Sequence, residues 1–182
     1  MTLYPMMNYA ARTLALSDGP ALLCFEQENR AWFEAFVEPR PAAFYSPEGV
    51  ASHIADLLAQ HAQGKFHPFV LVDAEGRILG RANLKAIDAE KGSAELGYRV
   101  GKAHIGQGLA SMAVGELLKS AAADWRLREV EAFVSEANPA SARVLIKHGF
   151  VPAEFQTGLC EIQGQTQDGW RYVCRLSAGR NG

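Results

Sequence analysis

A chain of 182 residues with 48% apolar side chains can bury one good core and suits a single globular domain spanning 1–182 rather than two. Its 18 Lys and Arg against 20 Asp and Glu leave a formal charge of −2, which gives no reason to expect nucleic acid as a partner. No run approaches the ~18 consecutive apolar residues of a membrane span, and Met1 to Ala11 lacks the basic start and apolar stretch of a secretion signal, so a cytoplasmic protein without a membrane partner is expected.

Arg12 to Leu16 alternates like a strand, and Ser17 and Asp18 then offer an N-cap for a helix running to about Asn29. The aromatic-rich stretch AWFEAFVEPRP follows, closed by Pro39 and Pro41. Ser46 before Pro47 is a cap with an N1 proline, opening a helix whose Ile54, Leu57, Leu58 and His61 share a face before Gly64 ends it. FHPFVLVDAEGRILGRANLKAI is two apolar runs around an Asp73-Ala74-Glu75-Gly76 turn, a β-hairpin, and GSAELGYRV is a third strand reached through a turn near Asp88 to Gly92. Leu109 to Trp125 has helical periodicity, REVEAFV is a short strand, and Asn138 to His148 is a second helix of this half. Phe150 to Ile162 and Trp170 to Leu176 close the chain as a pair of strands. The order β-α-α-β-β-β-α-β-α-β-β predicts an α/β (α+β) fold, a mixed sheet with helices on both faces.

Cys24, Cys160 and Cys174 are odd in number and show no metal-ligand spacing, which suits a reducing compartment and incidental thiols. The scatter of His53, His61 and His67 gives no metal spacing either, and no metal is expected.

The two helices that begin directly after strands carry the functional signal. In VGKAHIGQGLASMAV, Gly106 and Gly108 stand at a helix start, where outward backbone N–H groups and the positive end of the helix dipole suit a pyrophosphate. A plain tight turn is the alternative. No Lys-Ser/Thr pair follows the glycines, which excludes a P-loop. A dinucleotide fingerprint fits Gly106-Gln107-Gly108 with Glu131 about 20 residues downstream, but fails at Ser111 and lacks a preceding βαβ unit. Coenzyme A is the third option.

VGKAHIGQGLASMAV resembles the acyl-CoA loop of the GCN5-related N-acetyltransferases (GNAT), and NPASARVLIKHGF resembles their second helix motif. The pattern N-x-x-S-x-x-V-L-x-K-x-G-F is similar to the RimJ/RimL branch, the ribosomal-protein-alanine N-acetyltransferases, as is CFEQENRAWFEAFVEPR in the N-terminal substrate region. The resemblance covers nearly the whole chain in order. It implies a mostly antiparallel central sheet of about six to seven strands flanked by about four helices, and acetyl-CoA as acyl donor. Backbone groups of Tyr98, Arg99 and Val100 are then expected to pair with pantetheine, and amides of Ile105, Gly106, Gln107, Gly108, Leu109 and Ala110 to hold the pyrophosphate. The family usually has Arg or Gln where this chain has Ile105, so backbone amides carry more of the binding, with Lys102 nearby. Asn138 before Pro139 is by local rules a good N-cap, and the resemblance adds a contact to pantetheine. Dimers are common in the resembled branch, although no stretch here defines an interface for a homodimer.

Ser141 falls in the first turn of the second helix, where a hydroxyl can donate to the departing thiolate. Many members use a Tyr whose position here is Leu145, and RimL-like enzymes use the serine; an ordinary first-turn residue is the competing account. On the amine side, a free α-amine is roughly a tenth neutral at pH 7, against about one in 2,500 for a lysine or polyamine, so an α-amine needs only a weak base or a water chain. Glu95 is the candidate base. Alternation puts Glu95, Gly97 and Arg99 on one face of the strand, where Glu95 can equally pair with Arg81 or Lys85 of the neighbouring strand. No Ser-His-Asp or Cys-His set is evident, which fits direct attack on a thioester.

Trp32, Phe33, Phe36 and Tyr45, with Phe44, can wall a substrate groove, and Glu34 and Glu38 can attract a cationic amine; core aromatics and solvated acids are the plainer account. Two functions from different classes follow. One is an N-acetyltransferase acting on an amine acceptor, a protein N-terminus or a small amine such as a polyamine, aminoglycoside or amino acid. The other is a catalytically weak acyl-CoA-binding module.

Overall fold

The alternating apolar runs form seven strands, β1 (Ala10–Thr13), β2 (His67–Val72), β3 (Ile78–Asp88), β4 (Ser93–Val100), β5 (Glu129–Ser135), β6 (Val151–Ile162) and β7 (Gln165–Arg175). The computed structural model describes residues 9–176; Met1 to Asn8, most of the segment read for a secretion signal, lie outside the described residues. The sheet order is β1-β2-β3-β4-β5-β7-β6. Every neighbouring pair is antiparallel except β4 and β5, which run parallel. A parallel pair needs a crossover, and helix α4 (Leu109–Ala123) supplies it.

Helices α4 and α5 (Pro139–Lys147) cover one face, burying Leu71, Leu84, Leu96, Val114, Leu117, Leu145 and Phe150. Helices α1 (Gly19–Glu28), α2 (Arg30–Phe33) and α3 (Pro47–Ala62) cover the other around Leu22, Phe25, Phe33, Val50, Ile54 and Val70. No described helix is long and apolar enough to cross a membrane.

Local chemistry explains where elements begin. Ser46 caps α3 as its sequence predicts, accepting from the Gly49 N–H at 3.0 Å. Gly49 itself lets the turn Ala42–Tyr45 lie against α3, because a Cβ there would run into the Ala43 carbonyl and the Phe44 backbone. Asp18 does not cap α1. Its carboxylate instead takes the Ala15 N–H at 2.8 Å and both Arg12 guanidinium nitrogens at 2.8 and 2.7 Å, so β1 ends at Thr13, earlier than predicted, and Leu16–Asp18 becomes a single 3₁₀ turn. The Arg12 hydrogen bonds hold the Asp18 carboxyl below the usual range. At the other end, β7 starts five residues before Trp170, since Gln165–Asp168 are polar residues of a solvent-facing hairpin and carry no apolar alternation.

His67 is 6% exposed and couples three elements. Its Nδ1 accepts from the Trp125 indole at 2.9 Å, and its Nε2 lies 2.9 Å from Thr13 Oγ1, which places the ring proton on Nε2. Burial holds His67 down to about 4, and holds His53, beside Arg81, down to about 3. In the unfolded chain both titrate near 6.5, so below that pH the unfolded state binds protons that the folded state refuses. Stability therefore falls as pH drops from about 6.5 and levels only below these depressed values. Urea midpoints at pH 7.5, 5.5 and 4.5 should decline in that order, more shallowly in His67→Gln. A flat series would show that these rings are not neutral in the fold.

Candidate active site

The parallel pairing of β4 with β5 stops early. Its register runs Ser93 with Glu129, Ala94 with Val130 and Glu95 with Glu131, and no described pairing continues it although both strands do. The Gly101 N–H donates to the Leu79 carbonyl at 2.9 Å, which fixes the alternation along β4. Odd residues turn their backbone groups to β3, and Leu96, Tyr98 and Val100 turn theirs toward β5. Beyond Glu95 the two strands thus leave a gap lined by backbone donors and acceptors at their C-terminal ends.

Both flanking helices point their N-termini at this end. Gly108 is the N-cap of α4 with φ +83°, and Gly106 has φ +76°, backbone that L side chains rarely adopt. A Cβ at either glycine would meet nothing within 4 Å, so open space fronts the helix start. No backbone hydrogen bond among the described residues uses the amides of Gly106, Gln107, Gly108, Leu109 or Ala110. The Ile105 amide is engaged with the Lys102 carbonyl at 3.5 Å, and the Ile105 side chain is 52% exposed. Gln107 is held by the Tyr9 hydroxyl at 2.9 Å and its own bond to the Ala103 carbonyl at 3.1 Å. Ser111, which spoiled the dinucleotide fingerprint, faces His148 Nε2 at 2.8 Å and ties α4 to the end of α5.

On α5, the Asn138 Oδ1 caps the helix by accepting from the Ser141 N–H at 3.2 Å, leaving both side-chain N–H donors for a ligand. The Ser141 hydroxyl lies 2.9 Å from the Tyr98 hydroxyl, across the gap from β4. Burial pushes the Tyr98 phenol up, and the Ser141 bond opposes it. Tyr98 thus contributes a side chain as well as backbone, which strand alternation alone did not suggest. Leu145, at the position where the resemblance implies a Tyr in many members, is fully buried.

The remaining predicted residues lie on the α1 side. Glu95 pairs with Lys85 at 2.6 Å, as one of its two sequence readings expects, and its neighbour Glu131 pairs with Arg171 at 3.2 Å. Arg99 turns its backbone to Arg81 of β3 and its guanidinium to Glu26 at 3.3 Å, so neither faces the gap. Val100 offers a carbonyl that the Trp32 indole already engages at 3.3 Å. Phe33 is core, under the Arg99 guanidinium at 5.0 Å. Phe36 packs edge-on to Trp32, and Tyr45 lies beneath Arg30. Glu34 spends its carboxylate on Arg30 at 2.8 Å, and Glu38 is exposed. Asn29 escaped the sequence reading, yet its Oδ1 takes the Lys102 N–H at 2.8 Å and anchors the glycine loop to α1. Among the described residues no group of three or more His, Cys, Asp or Glu is placed to hold a metal ion.

A backbone-lined gap with a helix N-terminus on each side suits a long ligand with phosphates at one end and a thioester at the other, the geometry of acyl transfer from coenzyme A. Residues 11–151 match the family described as "Acetyltransferase (GNAT) domain". The "Probable N-acetyltransferase YjcK" of Bacillus subtilis (strain 168) is 30% identical over 159 residues, 86% of this chain and 88% of the relative. Among solved structures, the ribosomal-protein-S5-alanine acetyltransferase of Vibrio fischeri superposes with TM-score 0.89 at 24% identity, covering 94% of this chain and 95% of the other. The spermidine N-acetyltransferase of Vibrio cholerae, in complex with CoA and spermine, gives TM-score 0.78 at 21% identity over 92% and 95% of the two chains.

The chain belongs to the GNAT acetyltransferase family. It is a transferase with acetyl-CoA as donor, which sets aside the binding-module alternative, and its solved neighbours include the RimJ/RimL ribosomal-protein acetyltransferases.

Proposed function

We propose that this enzyme acetylates the N-terminal α-amine of a protein, in the cytoplasm, by direct attack of the amine on acetyl-CoA in a ternary complex. The observation that carries the reading is the gap between β4 and β5 with Gly108 and Asn138 at the two helix starts beside it. Backbone groups of Tyr98 and Val100 and the Asn138 amide receive pantetheine; amides from Gly106 to Ala110 receive the pyrophosphate. This seats the thioester near Ser141, with the acceptor arriving from the Glu95 face past Trp32, Phe36 and Tyr45.

The neutral amine nitrogen forms a bond to the carbonyl carbon, and the C–S bond then breaks. The nitrogen's surplus proton passes to Glu95, directly or through water, while the thiolate takes a proton from Ser141 Oγ, which draws in turn on the Tyr98 hydroxyl 2.9 Å away; as the products leave, Glu95 releases its proton to solvent and the phenol regains one from it. No covalent enzyme intermediate is required. The fold shared with the V. cholerae spermidine enzyme supports a second reading, a small-amine acceptor.

Release of free CoA thiol, measured with peptides beginning Ala, Ser or Met beside spermidine, an aminoglycoside and single amino acids, tests the choice. Turnover on peptides is expected; turnover on small amines alone would move the substrate while keeping the donor. In the same assay Glu95→Gln should lower kcat by about 100-fold or more with little change in acetyl-CoA affinity. Unchanged kcat across pH would remove Glu95 from proton transfer.

A further inference from the structure

The acceptor side carries more positive charge than its own side chains neutralise. Glu26, 1% exposed, is the carboxylate at the centre: Arg81 Nη1 bonds one oxygen and Arg99 Nη1 approaches the other at 3.3 Å. Arg81 also donates through Nη2 to His53 at 2.9 Å, so this ring is an acceptor and brings no countercharge. Arg40 is the third guanidinium. It lies over the Phe44 ring at 4.3 Å, and its Nε is shielded from solvent with no hydrogen-bond partner among the described residues. The positive charges of Arg40 and Arg81 both act on Arg99, and Glu34, further along this side, is committed to Arg30. Three guanidiniums thus share one carboxylate in a half-buried place. Desolvated charge without a counterion is costly, and a planar guanidinium with unused donors matches an incoming carboxylate.

This surplus lies at one end of a polar strip. The same face of β4 reads Glu95, Gly97, Arg99, and Glu131 stands beside Glu95. Asn83 is opposite Gly97, where a Cβ would sit 3.3 Å from its Oδ1; that oxygen is shielded and has no hydrogen-bond partner among the described residues. It is closed off against β4, and the missing side chain at Gly97 leaves the strand surface flat between Glu95 and Arg99. Same-face neighbours on a strand are about 7 Å apart, so an amine seated over Gly97 has Arg99 one such step away. That is on the order of the separation between a peptide's terminal nitrogen and the side-chain carboxylate of its second residue.

We infer that the acceptor is an amine carrying a carboxylate within one or two residues' reach, its amine met by Glu95 over Gly97 and its carboxylate by Arg99 and Arg40. The inference rests on the reading of this face as the acceptor side, and it disfavours polyamines, which bring only positive charge.

Matched acceptors test it: peptides beginning Ala-Glu against Ala-Gln, free alanine against alaninamide, and spermidine, compared by kcat/KM from CoA thiol release. The acidic member of each productive pair should lead by about tenfold or more. In Arg40→Gln that ratio should shrink toward one, with Arg40→Lys restoring part of it and acetyl-CoA affinity by calorimetry unchanged in both. Thermal melts check folding, and should Arg40→Gln not fold, the wild-type ratios decide alone. Peptides acetylated without regard to charge would overturn this inference and leave the N-terminal reading standing. Alanine preferred over alaninamide with all peptides inert would support it while overturning that reading. Preference for spermidine, or no turnover on any of these amines, would overturn it.

Discussion

Gly108→Val should abolish measurable acetyl-CoA binding, a loss of about 100-fold or more in affinity by calorimetry, in a chain that still folds. Two effects act together. At φ +83° a β-branched residue is strained by roughly 1–2 kcal/mol or more, which tilts the loop away from its present shape. The new side chain also projects into the open space fronting α4, the position proposed for the pyrophosphate, where amides from Gly106 to Ala110 have no backbone partner among the described residues. Gly76→Val is the matched control. Gly76 has φ +80° in the β2–β3 turn, and a Cβ there also meets nothing within 4 Å, so it brings the same strain away from the loop. The control should bind acetyl-CoA normally. Wild-type affinity in Gly108→Val would overturn the cofactor placement; equal loss in both variants would assign the effect to strain.

The parts of the site that were legible in the sequence are those made by neighbours in the chain. Ser46 with Pro47 and Asn138 with Pro139 satisfy helix-end donors locally, whereas Gly106 and Gly108 before an apolar helix leave theirs bare, and the structure places a helix start at each. Strand alternation likewise put Glu95 on a face shared with the neighbouring strand's Arg81 and Lys85, and the register selects Lys85. The illegible parts depend on where strands stop pairing. Tyr98 and Ser141 are 43 residues apart and meet only because β4 and β5 separate after Glu95 while α5 returns to the gap. Glu26 meets Arg81 and Arg99 from 55 and 73 residues away; in the sequence it is one acid in a helix, with no local sign that it is buried. Arg99 shows the limit most plainly. Alternation assigned its face correctly, yet the direction of its backbone depended on which residue begins the ladder with β3, and one residue of register decides that.

Ser141→Ala should lower kcat by about 10- to 100-fold while the KM for acetyl-CoA moves less than about threefold, at the low end of general-acid effects because a thiolate is already a fair leaving group. Tyr98→Phe should give a smaller fall in the same direction, since the serine remains but loses the hydroxyl 2.9 Å away that positions it and resupplies its proton. The double variant discriminates a working pair from two independent contributors. If the hydroxyls act as one relay, Ser141→Ala with Tyr98→Phe should be no slower than Ser141→Ala alone, because the first substitution already disconnects the second group from the thiolate. Multiplying losses would mean that each group touches the reaction separately. Phe keeps the ring packed on the α4 and α5 side, so a lower melting temperature with unchanged kcat would leave the pair a structural tie between β4 and α5 and return thiolate protonation to solvent.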